Sequence, residues 1–116
     1  MFPLNAASLI YKDQLIITGG NYDRTDKFLD ETHRYYLKIG DDNRVKATRD
    51  ENFPMMNKAR SHHSAFVYKD YLFVMFGKIQ NDIEYLDLTS PNPKFKTIPF
   101  RFHLDFERPM ICLNNI

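Results

Sequence analysis

Short runs of β-branched and aromatic residues, separated by polar pairs and prolines, form the dominant pattern of this chain. Ser64 to Tyr68 and Tyr71 to Phe76 are two such runs joined by Lys69-Asp70. Two runs across a two-residue connection predict a β-hairpin. Ile83 to Leu88 predicts a third strand, and Lys94 to Ile98 predicts a fourth, which ends before a proline because proline cannot donate to a β-ladder.

The hairpin pattern also occurs earlier in the chain. Ser8 to Gly20 aligns without a gap with Ala65 to Gly77, so that Tyr11 and Tyr68 lie 57 positions apart (68 − 11 = 57). Self-similarity of this kind is typical of repeat architectures, in which each copy is one supersecondary unit that stacks on its neighbours.

The first copy has the same order of elements after its hairpin. A loop over residues 21–31 leads to the predicted third strand, Thr32 to Ile39, and Arg44 to Thr48 is a weaker candidate for the fourth. Tyr36 aligns with Tyr85 at an offset of 49 (85 − 36 = 49), which makes the first loop eight residues longer (57 − 49 = 8). Four antiparallel strands per unit predict an all-β protein built from β-propeller blades, although the same periodicity also permits a β-sandwich.

Composition limits the class of protein. The 116 residues form one domain at most, and 43% hydrophobic residues suit a globular β protein. The formal net charge of +1 gives no reason to expect a nucleic acid or a membrane as a partner. A single cysteine, no signal-peptide pattern and no apolar run long enough to span a bilayer favour a cytoplasmic location.

One segment of the second copy runs from Arg60-Ser61-His62-His63-Ser64-Ala65 through Leu72-Phe73-Val74 and a glycine to Tyr85-Leu86-Asp87. This segment resembles the kelch repeat. Further positions match the family pattern of an arginine, a di-glycine and a tyrosine, namely Gly19-Gly20, Tyr36, and Met56 before the arginine. The chain has no tryptophan, Phe95 stands where the family has one in the second copy, and Phe76-Gly77 replaces the second di-glycine.

The resemblance implies an incomplete kelch propeller. Residues 1–5 are expected to be a lead-in, 6–53 a first blade, 54–106 a second blade with the inter-blade segment, and 107–116 the start of a third. Two blades cannot close a ring, and their open edges would expose unpaired backbone groups. We therefore expect the ring to be completed by the rest of a longer chain or, as the less favoured alternative, by other copies.

In propellers that resemble this chain, the end carrying the loop after the second strand and the inter-blade segment commonly binds a partner. We call this end the loop face. The residues that we expect to contact a protein partner there are Asn21, Tyr22, Asp23, Arg24, Lys58, Arg60, Lys78, Gln80 and Asn81.

Candidate chemistry elsewhere is weak. His62-His63 is unsuited to a single metal ion because adjacent strand residues point to opposite faces. Cys112 lies in an apolar run and is expected to be structural. The carboxylate pairs Asp41-Asp42 and Asp82 with Glu84 are expected to be solvated. We therefore predict no catalytic residues, metal or cofactor.

The sequence favours a non-catalytic interaction module. As part of a larger propeller, it is expected to act as a scaffold or as an adaptor for substrates or the cytoskeleton. The alternative is a fragment of a kelch-fold enzyme of the oxidase or sugar-isomerase type.

Overall fold

The computed structural model describes residues 3–22, 27–98, 100–104 and 109–113, the last two segments as backbone only. The first copy forms one four-stranded antiparallel sheet, which we call sheet A, with the strand order β1-β2-β3-β4. Its strands are β1 (Ala7–Tyr11), β2 (Gln14–Thr18), β3 (Thr32–Ile39) and β4 (Val45–Arg49). The structure thus confirms a four-stranded antiparallel unit here.

The second copy forms sheet B, again four-stranded and antiparallel, with the order β5-β6-β7-β8. Its strands are β5 (Ser64–Tyr68), β6 (Tyr71–Met75), β7 (Ile83–Asp87) and β8 (Lys96–Ile98). The described residues contain strands and turns but no helix, and accordingly none of their segments is a helix that could cross a membrane. The all-β expectation is confirmed.

The two predicted hairpins have matching registers but different turns. Tyr11 pairs with Gln14, and Tyr68 pairs with Tyr71. Lys69 and Asp70 both have positive φ angles (49° and 66°), whereas in the first turn only Lys12 does (φ 52°). Two central residues with positive φ are the mark of a type I′ turn, whose twist matches that of the flanking strands.

The di-glycine positions also correspond. Gly19 and Gly20 have φ angles of 62° and 100°, and Phe76 and Gly77 have φ angles of 59° and 131°. Phe76 therefore adopts the left-handed conformation of the glycine that it replaces, at a cost of about 1 kcal/mol. The backbone supports the alignment of Phe76-Gly77 with the first di-glycine.

The third strands align differently from the sequence prediction. Ile17 pairs with His33, and its counterpart Val74 pairs with Glu84, which gives an offset of 51 (84 − 33 = 51) rather than 49. The first loop is therefore six residues longer (57 − 51 = 6), and Tyr36 and Tyr85 are not register equivalents. A slip of two residues keeps every side chain on the same face, so the apolar pattern could not distinguish the two alignments.

The main hydrophobic core lies between the two sheets. Leu9 and Ile16 from sheet A pack in one cluster with Leu72, Val74 and Leu86 from sheet B. Phe53 and Met56, from the segment that connects the sheets, and Phe95 complete this cluster. We call these facing surfaces the inner faces and the opposite surfaces the outer faces. Because β1 also lies beside β5, the two units stack as neighbours.

The C-terminal part contains a strand that the sequence analysis missed. β9 (Phe100–Leu104) pairs antiparallel with β10 (Pro109–Leu113) in a separate two-stranded sheet. The alternation of apolar and polar residues in 100–104 was a usable signal. Residues 107–116, which were expected to start a third blade, contain β10, and residues 105–108 and 114–116 lie outside the described residues.

Candidate interaction surface

A fully buried arginine organises the loop end of the molecule. The Arg60 side chain has 0% exposure, and its guanidinium donates to two carboxylates and two carbonyl oxygens. Nη2 lies 2.6 Å from Oδ1 of Asp82 and 2.8 Å from Oε2 of Glu84, and Nε lies 3.2 Å from the same Glu84 oxygen. Nη1 donates to the carbonyl oxygens of Phe76 and Asp82, at 3.0 and 3.1 Å.

Glu84 is the buried counter-charge of this arginine. Its carboxylate, which also has 0% exposure, accepts the backbone N–H of Asn57 at 2.6 Å and that of Lys58 at 3.2 Å. One carboxylate on β7 thus anchors both the arginine and the segment between the sheets. Hydrogen bonds of this kind satisfy a buried charge that would otherwise be strongly unfavourable.

Asp82 connects the buried network to the surface. Its Oδ2 contacts Nζ of Lys58 at 2.6 Å, the same distance as its contact with Arg60. Burial pushes the pKa of Asp82 up, but hydrogen bonds and charge from Lys58 and Arg60 outweigh burial and hold that pKa below its ordinary value. The expectation that Asp82 and Glu84 are solvated was wrong, because both are needed to neutralise an arginine with no access to water.

The backbone of the arginine segment joins the loops of both repeats. Leu29 and Arg60 form an antiparallel bridge, and the N–H of Gly20 donates to the carbonyl oxygen of Arg60 at 2.7 Å. On the other side, the N–H of Lys78 donates to the carbonyl of Ser61 at 3.0 Å. The structure therefore brings the two post-hairpin loops and the connecting segment together at one end.

The expected loop-face residues differ in accessibility. Arg60 is enclosed, and Asn21 is buried, accepting a hydrogen bond from the Asn5 side-chain amide at 3.1 Å. These two side chains hold the loops in place and do not present a surface. Asp23 and Arg24 lie outside the described residues.

The remaining predicted residues are accessible to different extents. Lys58 has a side chain 46% exposed, and Gln80 is half-buried, with Nε2 donating to the carbonyl of Ala59 at 3.2 Å. Tyr22 is 36% exposed, and its hydroxyl donates a hydrogen bond to Glu31 at 3.3 Å. Lys78 and Asn81 are exposed.

One exposed residue on this end was missed. Ile79 is 67% exposed and lies between the exposed Lys78 and the half-buried Gln80. A β-branched residue in an otherwise polar loop was the available signal, since polar side chains are usual in such loops. The loop over residues 78–82 thus exposes an aliphatic side chain that is flanked in the sequence by a cation and amides.

The paired histidines, which precede β5, occupy different environments. His62 is exposed, and Nδ1 lies 2.8 Å from the Ser61 hydroxyl. His63 reaches across to sheet A, where Nε2 lies 2.7 Å from the Thr18 hydroxyl, while Nδ1 is buried without a hydrogen-bond partner among the described residues. Burial, followed by the charges of Arg60 and His62, lowers the pKa of His63 to about 4.

No cluster of three or more metal-binding side chains occurs in the part of the chain that the structure describes. Cys112 lies on β10, whose side chains are not among those described. Asp41 and Asp42 are exposed in the β3–β4 turn, as expected.

The outer face of sheet B carries a row of aromatic rings. Phe66 and Phe73 stack with ring centroids 5.1 Å apart, and Tyr85 lies 6.2 Å from Phe73 and 6.0 Å from Tyr71. Phe73 is buried in a second cluster with Ile83 and Ile98, whereas Phe66 and Tyr71 remain exposed. The part of this face around Phe66 and Tyr71 is therefore a second surface able to contact another molecule, whereas the part around Ile83 and Ile98 is already buried.

Comparison with known proteins gives no assignment. No protein-family model matches the chain, and no curated protein matches it. The arguments for function therefore rest on the sequence and the structure.

Proposed function

We propose that this chain is a non-catalytic protein-interaction module that consists of two consecutive kelch-like propeller blades and binds a protein partner through its loop face. The main support is the convergence of both post-hairpin loops on the segment around Arg60. A preorganised loop surface loses less conformational entropy on binding than a free loop does.

The two sheets support the blade interpretation. Each has the order of a simple meander, and each is followed by a connection to the next β unit. Their inner faces share one core, as expected for adjacent units of a radial repeat. Within this proposal, a larger cytoplasmic propeller acts as a scaffold or as an adaptor for substrates or the cytoskeleton.

The accessible chemistry favours a protein as the partner. Ile79 supplies apolar contact area, and Lys78 and Asn81 supply a charge and amide groups beside it. An apolar centre within a polar rim is the usual anatomy of a protein interface. A partner segment with an apolar side chain and a carboxylate would match this surface.

Site-specific photocrosslinking tests the proposal. A photoreactive amino acid at position 79 is expected to capture a specific partner in cells, whereas the same group at exposed Lys46 on β4 is not. The captured protein is then purified, and its affinity is measured by calorimetry. Ile79→Asp and Lys78→Glu should each weaken binding at least tenfold, whereas the charge-matched Lys46→Glu should not. Equal affinities for all three variants would refute binding through the loop face.

A further inference from the structure

The two outer faces of the chain are related to its inner faces by the sequence repeat. The offset of 57 places Phe66 and Phe73, on the outer face of sheet B, at the positions of Leu9 and Ile16, on the inner face of sheet A. These two outer residues of sheet B are thus the counterparts of residues that sheet A packs against its neighbour, and of the two Phe66 is exposed while Phe73 is already buried beside it.

The same relation holds in the other direction. Residues 10, 15 and 17 on the outer face of sheet A correspond to residues 67, 72 and 74 on the inner face of sheet B. All six side chains are aliphatic: Ile10, Leu15, Ile17, Val67, Leu72 and Val74. The outer face of sheet A therefore has the apolar character that sheet B uses for packing, and the outer face of sheet B has the character that sheet A uses.

One hydrogen bond between the two sheets involves residues whose repeat equivalents lie exposed on the outer faces. The Tyr11 hydroxyl of sheet A donates to Oδ1 of Asp70 of sheet B at 2.6 Å. The repeat equivalents are Tyr68, which is 60% exposed, and Asp13, which is also exposed. Both tyrosine rings have the same local contact, with the following lysine Nζ 5.2 Å from the Tyr11 centroid and 5.4 Å from the Tyr68 centroid.

A second polar contact between the sheets corresponds to a pair of apolar residues on the outer faces. Thr18 contacts His63 across the inner interface. Their repeat equivalents are Met75 and Ala6, which are both apolar and therefore compatible with each other. Neither outer face would bury an unpaired polar group at this position.

We propose that a second copy of this chain packs the outer face of its sheet A on the outer face of sheet B, head to tail, in the same arrangement that joins the two sheets within one chain. Tyr68 of one copy donates to Asp13 of the next. Because such a contact uses two different surfaces, it leaves one free face at each end and allows further copies to add. The proposal does not depend on what the loop face binds, and it takes up the alternative in which other copies, rather than the rest of a longer chain, cover the outer faces.

The shape of the outer face of sheet A agrees with this contact. A groove at the end of the first hairpin is lined by three apolar residues and three charged ones, namely Leu37, Ile39, Val45, Lys12, Asp13 and Lys38. Ile10, on the same face, is 62% exposed. A groove that combines aliphatic side chains with a carboxylate and two lysines fits an aromatic side chain that carries a hydroxyl group, as Tyr68 does.

Sedimentation velocity of the full chain over a concentration series tests the proposal. The wild-type chain is expected to form species larger than a dimer. Ile10→Lys blocks one face and Tyr68→Lys the other, and since both side chains are exposed, the fold should be retained. Each variant alone is expected to be monomeric, whereas an equimolar mixture should form a heterodimer and nothing larger. Met55→Lys, at an exposed apolar residue in the connecting segment, is the control and should assemble like the wild type.

Two outcomes would overturn the proposal. A wild-type chain that remains monomeric throughout would show that no second copy covers the faces, including the case in which residues 99–116 cover one of them. A single variant that still dimerises alone would show a symmetric contact instead. The register is tested by Tyr68→Phe and Asp13→Ala, which should each weaken association about fivefold, with no further loss in the double variant. Fully additive losses would exclude the Tyr68–Asp13 hydrogen bond.

Discussion

The strongest prediction concerns two ion pairs that share the carboxylate of Asp82 and that are expected to contribute unequally to stability. Arg60 and Lys58 both contact Asp82 at 2.6 Å, but the arginine side chain is fully buried and that of the lysine is 46% exposed. Because the two distances are equal and only the burial differs, a difference in stability between variants at these positions reports the effect of solvent exposure and not of distance. We therefore expect Arg60→Met and Lys58→Met to differ strongly in stability.

The magnitude follows from the groups left behind. In Arg60→Met, Asp82 keeps its contact with Lys58, but the Glu84 charge keeps only the two backbone N–H groups of Asn57 and Lys58. Removing one partner of a buried ion pair costs about 3–5 kcal/mol, and we expect about 4 kcal/mol here. Lys58→Met should cost at most about 1 kcal/mol, because water and Arg60 still stabilise Asp82.

Urea unfolding followed by tyrosine fluorescence measures both variants. With a slope of about 2 kcal/mol per molar urea, Arg60→Met should lower the unfolding midpoint by about 2 M and Lys58→Met by about 0.5 M or less. The double variant Arg60→Met/Glu84→Gln removes the uncompensated charge and keeps one acceptor oxygen, which can serve the shorter of the two contacts, that from the N–H of Asn57. It should regain about 2 kcal/mol and gives a folded comparison if Arg60→Met alone does not fold.

Two results would refute this reasoning. The first is an Arg60→Met variant that loses no more stability than Lys58→Met. The second is a double variant that is no more stable than Arg60→Met, since the cost would then not come from an unpaired Glu84 charge. In either case the buried network would not be what holds the loop face in place.

Three further predictions concern pH, the di-glycine and the hairpin turn. Because the pKa of His63 is about 4 in the folded state and about 6.5 when unfolded, the unfolded state alone binds a proton between these values, so the unfolding free energy should fall as the pH drops from 6.5 to 4. The full shift in the pKa of His63 corresponds to about 3.4 kcal/mol of unfolding free energy, which partial exposure of the ring reduces to about 1–2 kcal/mol. In urea titrations at a series of pH values, His63→Gln should remove this pH dependence and His62→Gln should keep it. Gly19→Ala should cost more than about 3 kcal/mol in the same assay, because φ is +62° and the new Cβ would overlap the Arg60 carbonyl. Gly40→Ala should change stability by less than about 1 kcal/mol, because its closest contact would be the end of the Asp42 side chain and its other neighbours lie at ordinary contact distance. Similar losses for the two variants would contradict this. Lys69→Asn should stabilise the fold by about 0.5 kcal/mol and so raise the midpoint of thermal unfolding slightly, because asparagine tolerates the φ of 49° better than lysine does. A lower midpoint would contradict the turn assignment.

The strands and hairpins could be predicted from local sequence because their signals are local. The runs on either side of Lys69-Asp70 became β5 and β6, and the repeat of this pattern 57 residues earlier became β1 and β2. The short β8 and the weaker β4 were shifted by one or two residues relative to expectation, since edge strands have fewer neighbours to define their ends.

The loop face could be predicted only in outline. The meander placed the two loops and the connecting segment at one end, which the backbone bridges between them confirm. Which side chains are accessible could not be predicted, because Arg60 is buried by residues 16 to 24 positions away in the chain. The propeller and its partner remain predictions that the proposed experiments address.

The sequence by itself determined the repeat, the hairpins and the apolar alternation that directs side chains to opposite faces, because these depend on neighbouring residues and on the strand period of two. Only the tertiary structure decided the offset of 51 between the third strands and the burial of the Arg60–Glu84 pair. A two-residue slip preserves the alternation, and an arginine has the same local sequence whether or not a distant carboxylate compensates its charge. Both outcomes depend on packing between segments that are far apart in the chain.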